Sequence, residues 1–227
     1  MFMIFHCLDM GTSALETDDV SSSDIYLSLG LKGLDKGVGV PRVLSLLSSF
    51  LDRSVQKNEM LLDDKHIEDV VTVFHGLSAP ALSVRKYIDR IFKYSGCSPS
   101  CFVVAHIYVD RFLQNTDIKL TSLNVHRLLI TSIMLAAKFM DDAFFNNAYY
   151  AKVGGVSTAE LNRLEMSFLF GIDFRLQVSV DTFGRYCWDL EKEASETLQI
   201  ERPMKACRIK ESWSNKDDPS CASTIAR

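Results

Sequence analysis

The residues able to do chemistry in this 227-residue chain are too dispersed to form a reaction centre. Six cysteines stand at 7, 97, 101, 187, 207 and 221. Cys97 and Cys101 have no second pair at zinc-site spacing, so reduced thiols are expected and a metal centre is not. The five histidines, at 6, 66, 75, 106 and 126, fall in different stretches, and His106 sits in an apolar run that suits a core histidine. No Ser/His/Asp set arises from neighbouring positions, so neither an enzyme nor a cofactor is expected. Glycines 30, 33, 37 and 39 make no phosphate loop, because Lys36 precedes Gly37 instead of following a closing glycine. The informative groups are charges set among apolar residues. Asp110 and Arg111 interrupt one greasy run, Lys138 follows another, and Glu165 lies between Leu161 and Phe168. A carboxylate buried at position 110 costs on the order of several kcal/mol unless it is paired. Arg85 or Arg90 is the expected cation, giving a structural ion pair with Asp110. Taken alone, Lys138 reads as a helix-terminal cation favoured by the macrodipole, and Glu165 as a surface carboxylate beside an apolar stripe.

The elements that position these groups are helical. Pro41 suits a helix start, and Val43, Leu44, Leu47, Phe50 and Leu51 recur at helical spacing. A second helix is predicted after Asp64, through Ile67, Val70, Val71 and Phe74, closed by Gly76 and Pro80. A third carries Tyr87, Ile88, Ile91 and Phe92 and stops at Gly96. Ser98 and Pro99 open a run from Phe102 to Leu113 that is apolar nearly all round, which predicts a central buried helix. Thr121 is the predicted cap of another, through Leu128 to Ala137. A short helix is expected around Tyr149 and Val153. Ser157 and Glu160 then form a capping box that opens a helix ended by Gly171. Residues 181–194 also read as helical. The predicted fold class is all-α: a single five-helix box with an added N-terminal helix and flexible termini. Residues 1–40 read as a flexible leader, 41–194 as the folded domain with its core box at about 82–175, and 195–227 as a disordered tail.

Composition narrows the function. Apolar residues make up 47% of the chain and charged residues 24%, with a net charge of -4. No basic face is apparent, so nucleic acid is not an expected partner. No stretch is long enough to span a membrane, and the apolar start lacks the features of a signal peptide. An intracellular protein of the nucleus or cytoplasm is expected.

Three segments in register then carry a family resemblance. Ser132-Ile133-Met134-Leu135-Ala136-Ala137-Lys138-Phe139 resembles the third helix of a cyclin box. Tyr108-Val109-Asp110-Arg111-Phe112-Leu113 resembles its second helix. Leu164-Glu165, Phe168-Leu169 and Ile172-Asp173-Phe174 resemble its fifth helix and exit. Asn146-Asn147-Ala148-Tyr149-Tyr150 and the single-box length are most similar to plant U-type (P-type) cyclins, relatives of the yeast phosphate-pathway cyclin. The resemblance covers about residues 41–190 and implies a regulatory subunit of a cyclin-dependent serine/threonine kinase. It assigns Lys138 and Glu165 to the surface that engages the kinase C-helix, with Phe139, Asp141 and Asp142 beside them. The cell-cycle substrate-docking patch is replaced here by Val84-Arg85-Lys86-Tyr87-Ile88, so docking there is not expected. A transcription-factor-type scaffold binding DNA or polymerase shares the same helical box and is the alternative. Leu27, Leu29 and Leu31 have the L-x-L-x-L form of a plant co-repressor docking motif, against a plainer reading as a strip packed on the box.

Overall fold

The computed structural model describes residues 18–31, 39–65 and 70–200, of which 18–22, 65 and 194–200 are described by backbone alone. Eight helices follow in order: α1 (Asp18–Ser28), α2 (Arg42–Lys65), α3 (Val84–Ser95), α4 (Ser100–Asn115), α5 (Val125–Met140), α6 (Asn147–Gly154), α7 (Thr158–Gly171) and α8 (Val180–Ile200). The described residues include no strand, and the fold is all-α.

The two helices that are greasy on every side form the centre. In α4 all nine residues from Cys101 through Val109 are buried, and in α5 all ten from Leu128 through Ala137. An element apolar all round can satisfy that composition only by being surrounded. Accordingly α4 and α5 pack on each other. The shorter α3, α6 and α7 cover α5, while α2 and α8 cover the other side of α4, with α1 against α8. Ala136 and Ala137 are fully buried, small enough to let a neighbouring helix approach.

Local chemistry sets the ends. The Ser83 hydroxyl caps α3 by accepting from the Lys86 N–H, and Gly96 ends it in the left-handed region at φ 63. The Ser157 hydroxyl accepts from the Glu160 N–H at 3.1 Å. The return half of that capping box is not made, because the Glu160 carboxylate turns to Arg127 of α5 at 2.7 Å. Two expected caps move. Thr121 does not open α5: its N–H donates to Asn124 Oδ1 at 2.9 Å, and the helix begins at Val125. Ser98 does not cap α4 either, since its hydroxyl is held by Asp141 at 2.9 Å.

The structure departs from the expectations in four further places. No helix occupies residues 70–83. Instead α2 continues to Lys65, and the chain from Val70 runs as turns and bends up to Ser83. Of the residues expected on one helical face there, Val70 and Val71 are exposed, as is neighbouring Val73, while Phe74 is buried. Phe74 enters the core edge-on to Phe112 at 5.0 Å and Phe168 at 6.0 Å. The segment is pinned instead by a local bond, Thr72 N–H to His75 Nδ1, and by a long-range one, Gly76 N–H to the Leu123 carbonyl.

The leader is folded where it is described: α1 is followed by Leu29, which is wholly buried. Leu27, Leu29 and Leu31 are therefore not an extended strip of alternate leucines. Leu27 lies in α1 and is exposed, Gly30 turns the chain at φ 73, and Leu31 rests against the core. The co-repressor reading loses its central side chain to the interior. The backbone of α8 is still helical at 195–200, inside the expected tail; residues 1–17 and 201–227 lie outside the described residues.

Candidate partner-binding site

Lys138 lies in the last turn of α5, where a cation offsets the exposed carbonyl end of the helix. The Asp141 N–H closes that end on the Ala137 carbonyl at 3.0 Å. Glu165 lies at mid-height on α7. Packing of α5 against α7 brings the two side chains together, Lys138 Nζ to Glu165 Oε1 at 2.6 Å. The second carboxylate oxygen accepts from Asn147 Nδ2 at 2.6 Å, and the same amide reaches Asn162 Oδ1 at 2.8 Å. The side chains are 25% and 16% exposed, which leaves the ammonium in reach of an incoming protein. With both oxygens of Glu165 engaged, the pair holds one geometry before any partner arrives. That reduces the rotamer entropy lost on binding, typically about 0.5–1.5 kcal/mol for each long side chain.

Next to this pair along the chain, large apolar groups are exposed. Phe139 follows Lys138, Met166 follows Glu165, and Phe144 and Phe145 lie in the link between α5 and α6; all are at least 43% exposed. Phe145 stacks on Tyr149 at 4.0 Å, so one member of the cluster has a set orientation. Phe139 was expected here. Phe144, Phe145, Met166 and Asn147 were not, although Phe144 and Phe145 carried a signal: two aromatics in a short polar link that serves no core.

Asp141 and Asp142 differ in their surroundings. Asp142 is exposed. The Asp141 carboxylate is turned inward, accepting from the Ser98 N–H and hydroxyl, both at 2.9 Å, and from the Cys101 thiol at 3.4 Å. It ties the exit of α5 to the entry of α4.

The expected ion pair of Asp110 is not formed. Arg85 pairs with Asp89 one turn along α3 at 3.0 Å, and Arg90 donates to the Lys152 carbonyl at 3.2 Å. Asp110 instead accepts from Gln114 Nε2 at 2.7 Å and from the Tyr186 hydroxyl of α8. It faces α8 and not α3, so neutral donors satisfy it. Asp110 and Tyr186 line a cleft of about 530 Å3 with Phe50 and His106. The His106 ring meets Phe50 at 4.7 Å and Tyr186 at 5.3 Å, and burial holds its pKa down at about 4. Among the described residues no cluster of His, Cys, Asp or Glu is placed to hold a metal ion, and no helix is long and apolar enough to cross a membrane.

Comparisons with known proteins give the family of the chain. The family model described as Cyclin matches residues 42–176, from the start of α2 to just beyond α7. The chain is 52% identical to Cyclin-P3-1 of Oryza sativa subsp. japonica over 96% of both chains. It is 56% identical to Cyclin-U3-1 of Arabidopsis thaliana, over 90% of this chain and 95% of that one. With Cyclin-U4-1 of Arabidopsis thaliana it shares 52% identity over 67% of this chain and 76% of the relative.

Proposed function

Because the chain belongs to the cyclin family, in its plant U-type/P-type branch, we propose that it holds a cyclin-dependent kinase in its active form through the Lys138–Glu165 ledge. Cyclins are non-catalytic regulatory proteins, and their family role implies a cyclin-dependent kinase as partner. The kinase C-helix must sit inward for its glutamate to reach the catalytic lysine. A ligand shifts that equilibrium only by binding the inward state better than the outward one. A rigid ledge with apolar surface and two fixed charges can do this, because Phe139, Phe144, Phe145 and Met166 lose water only when the facing helix is seated.

The observation that carries the reading is the Lys138–Glu165 pair, held in place by Asn147 before any partner is bound. Rigidity comes from beneath: α5 is buried along ten consecutive residues up to Ala137. The test is co-purification with each cyclin-dependent kinase of the source plant. Lys138→Ala with Glu165→Ala is expected to weaken capture, each truncation costing about 1–3 kcal/mol, and to lower the activity of the recovered kinase in parallel. A double variant that binds every such kinase as tightly as the parent chain rules out this surface.

A further inference from the structure

We propose that the cleft between α2, α4 and α8 receives an arginine side chain of a partner polypeptide, with the Asp110 carboxylate facing its guanidinium. The cleft has a volume of about 530 Å3. Ligand pockets typically enclose roughly 300–1,000 Å3. Phe50 of α2 lines it with His106 and Asp110 of α4, and α8 adds Tyr186 and a charged rim. The ledge on α5 and α7 lies outside these three helices, so the proposal and its test are independent of kinase contact there.

Asp110 is a half-buried carboxylate without a cation. Both of its hydrogen bonds, from Gln114 Nε2 at 2.7 Å and from the Tyr186 hydroxyl, end on Oδ2. Both donors are neutral, and among the described residues Asp110 joins no ion pair. The neighbouring arginines are engaged elsewhere. Arg111 donates to the Arg175 carbonyl at 2.6 Å, and Arg53 pairs with Glu193 at 2.5 Å. The Arg185 guanidinium stands over the Tyr186 ring, 5.9 Å from its centroid. A carboxylate held by neutral donors keeps its full attraction for a cation. Arginine suits this place, because its planar fork meets a carboxylate through parallel N–H bonds and its faces lie well on aromatic rings.

A second observation points to the same cleft. His106 is 8% exposed, and its Nδ1 is buried with no hydrogen-bond partner. Buried polar side-chain atoms are normally paired, and a ligand rich in N–H groups offers what this one lacks. The His106 ring packs edge-on to Phe50 at 4.7 Å and to Tyr186 at 5.3 Å, which gives the cleft an aromatic wall. Burial holds its pKa down at about 4, so at neutral pH the ring is uncharged and does not repel a guanidinium. The aromatic faces attract one. The rim decides between a polypeptide and a small free cation. Arg185, Asp189 and Lys192 are exposed there and join no ion pair among the described residues. Two rim cations repel a small cation, whereas a polypeptide can answer them with carboxylates or carbonyls beside its arginine.

The test titrates the full-length chain with N-acetyl-arginine amide and follows the histidine ring signals by NMR. The His106 signal should shift to saturation, with the histidines at 6, 66, 75 and 126 as internal controls. N-acetyl-citrulline amide has nearly the same shape without the charge and should bind about tenfold more weakly or worse. Asp110→Asn still accepts from Gln114 and Tyr186 and should lose a similar factor, about tenfold. Arg185→Ala, a change at an exposed position, removes a rim cation and should bind the probe at least as tightly as the parent. A random peptide display library panned on the chain then tests the source of the arginine. Arginine should be enriched at one position on the parent chain and not on the Asp110→Asn variant. Citrulline binding equal to arginine, or undiminished binding by Asp110→Asn, overturns the proposal. So does loss of binding in Arg185→Ala, or an equal shift of all five histidines, which would mean diffuse attraction to surface carboxylates. Probe binding without arginine enrichment among the peptides overturns the assignment to a polypeptide.

Discussion

Leu27 and Leu29 are two residues apart and have opposite fates, one 58% exposed and the other wholly buried. Gly30 makes the difference. Its left-handed turn ends α1 and lets the Leu29 carbonyl accept from the Val43 N–H at 3.1 Å, seating Leu29 over α2. Leu29→Ala should therefore destabilise the fold by about 2–5 kcal/mol in urea titrations. Leu27→Ala should stay within about 0.5 kcal/mol. Equal effects would mean that the N-terminal segment does not pack as described. Asp110 teaches the same thing in polar terms. Its place beside apolar residues called for a donor, and that much was legible, although the side chain is only half-buried. Whether the donor was an arginine or the Tyr186 hydroxyl depended on which helix faced it.

At the scale of elements, α7 comes close to α4 at Gly171. Phe112 and Phe168 stack at 4.9 Å, and a Cβ on Gly171 would stand 2.3 Å from the Phe112 ring. In the sequence Gly171 reads as a helix stop, which it is, but its lack of a side chain also leaves room for that stack. Gly171→Ala should cost about 1–3 kcal/mol by urea denaturation, because the Phe112 ring is held by Phe74 on another side and has little space to move. An unchanged midpoint would show that the ring can shift freely. Phe74 also explains why the helix expected after Asp64 and through Phe74 is absent from residue 70 onward. Apolar spacing reports which residues avoid water, whereas here one aromatic is buried and its valine neighbours are not.

The whole molecule should respond to acid through His106. Its ring is enclosed by α2, α4 and α8, with Phe50 and Tyr186 on it and Asp110 as the nearby charge. Burial lowers its pKa from 6.5 to about 4, only partly opposed by Asp110. Below pH 6.5 the unfolded chain takes up a proton that the folded chain refuses. Stability therefore falls as pH drops from 6.5 towards 4 and this contribution levels off below, a loss on the order of 3 kcal/mol. His106→Phe keeps a ring between Phe50 and Tyr186 and should flatten that part of the profile. Urea midpoints measured from pH 7 to pH 4 check this: parallel decline in both proteins would place the acid sensitivity elsewhere.

The sequence by itself determined the all-helical class, the two central helices and the family. These follow from properties carried along the chain: apolar residues on every side of a helix, caps at fixed offsets, and short motifs in order. Through the family resemblance it also singled out Lys138 and Glu165. Only the tertiary structure decided that they meet each other and Asn147, that Asp141 is bound to Ser98, and that Leu29 belongs to the core. The physical reason is that a contact across helices depends on the relative rotation and height of two elements. Local propensity leaves both free, and packing fixes them.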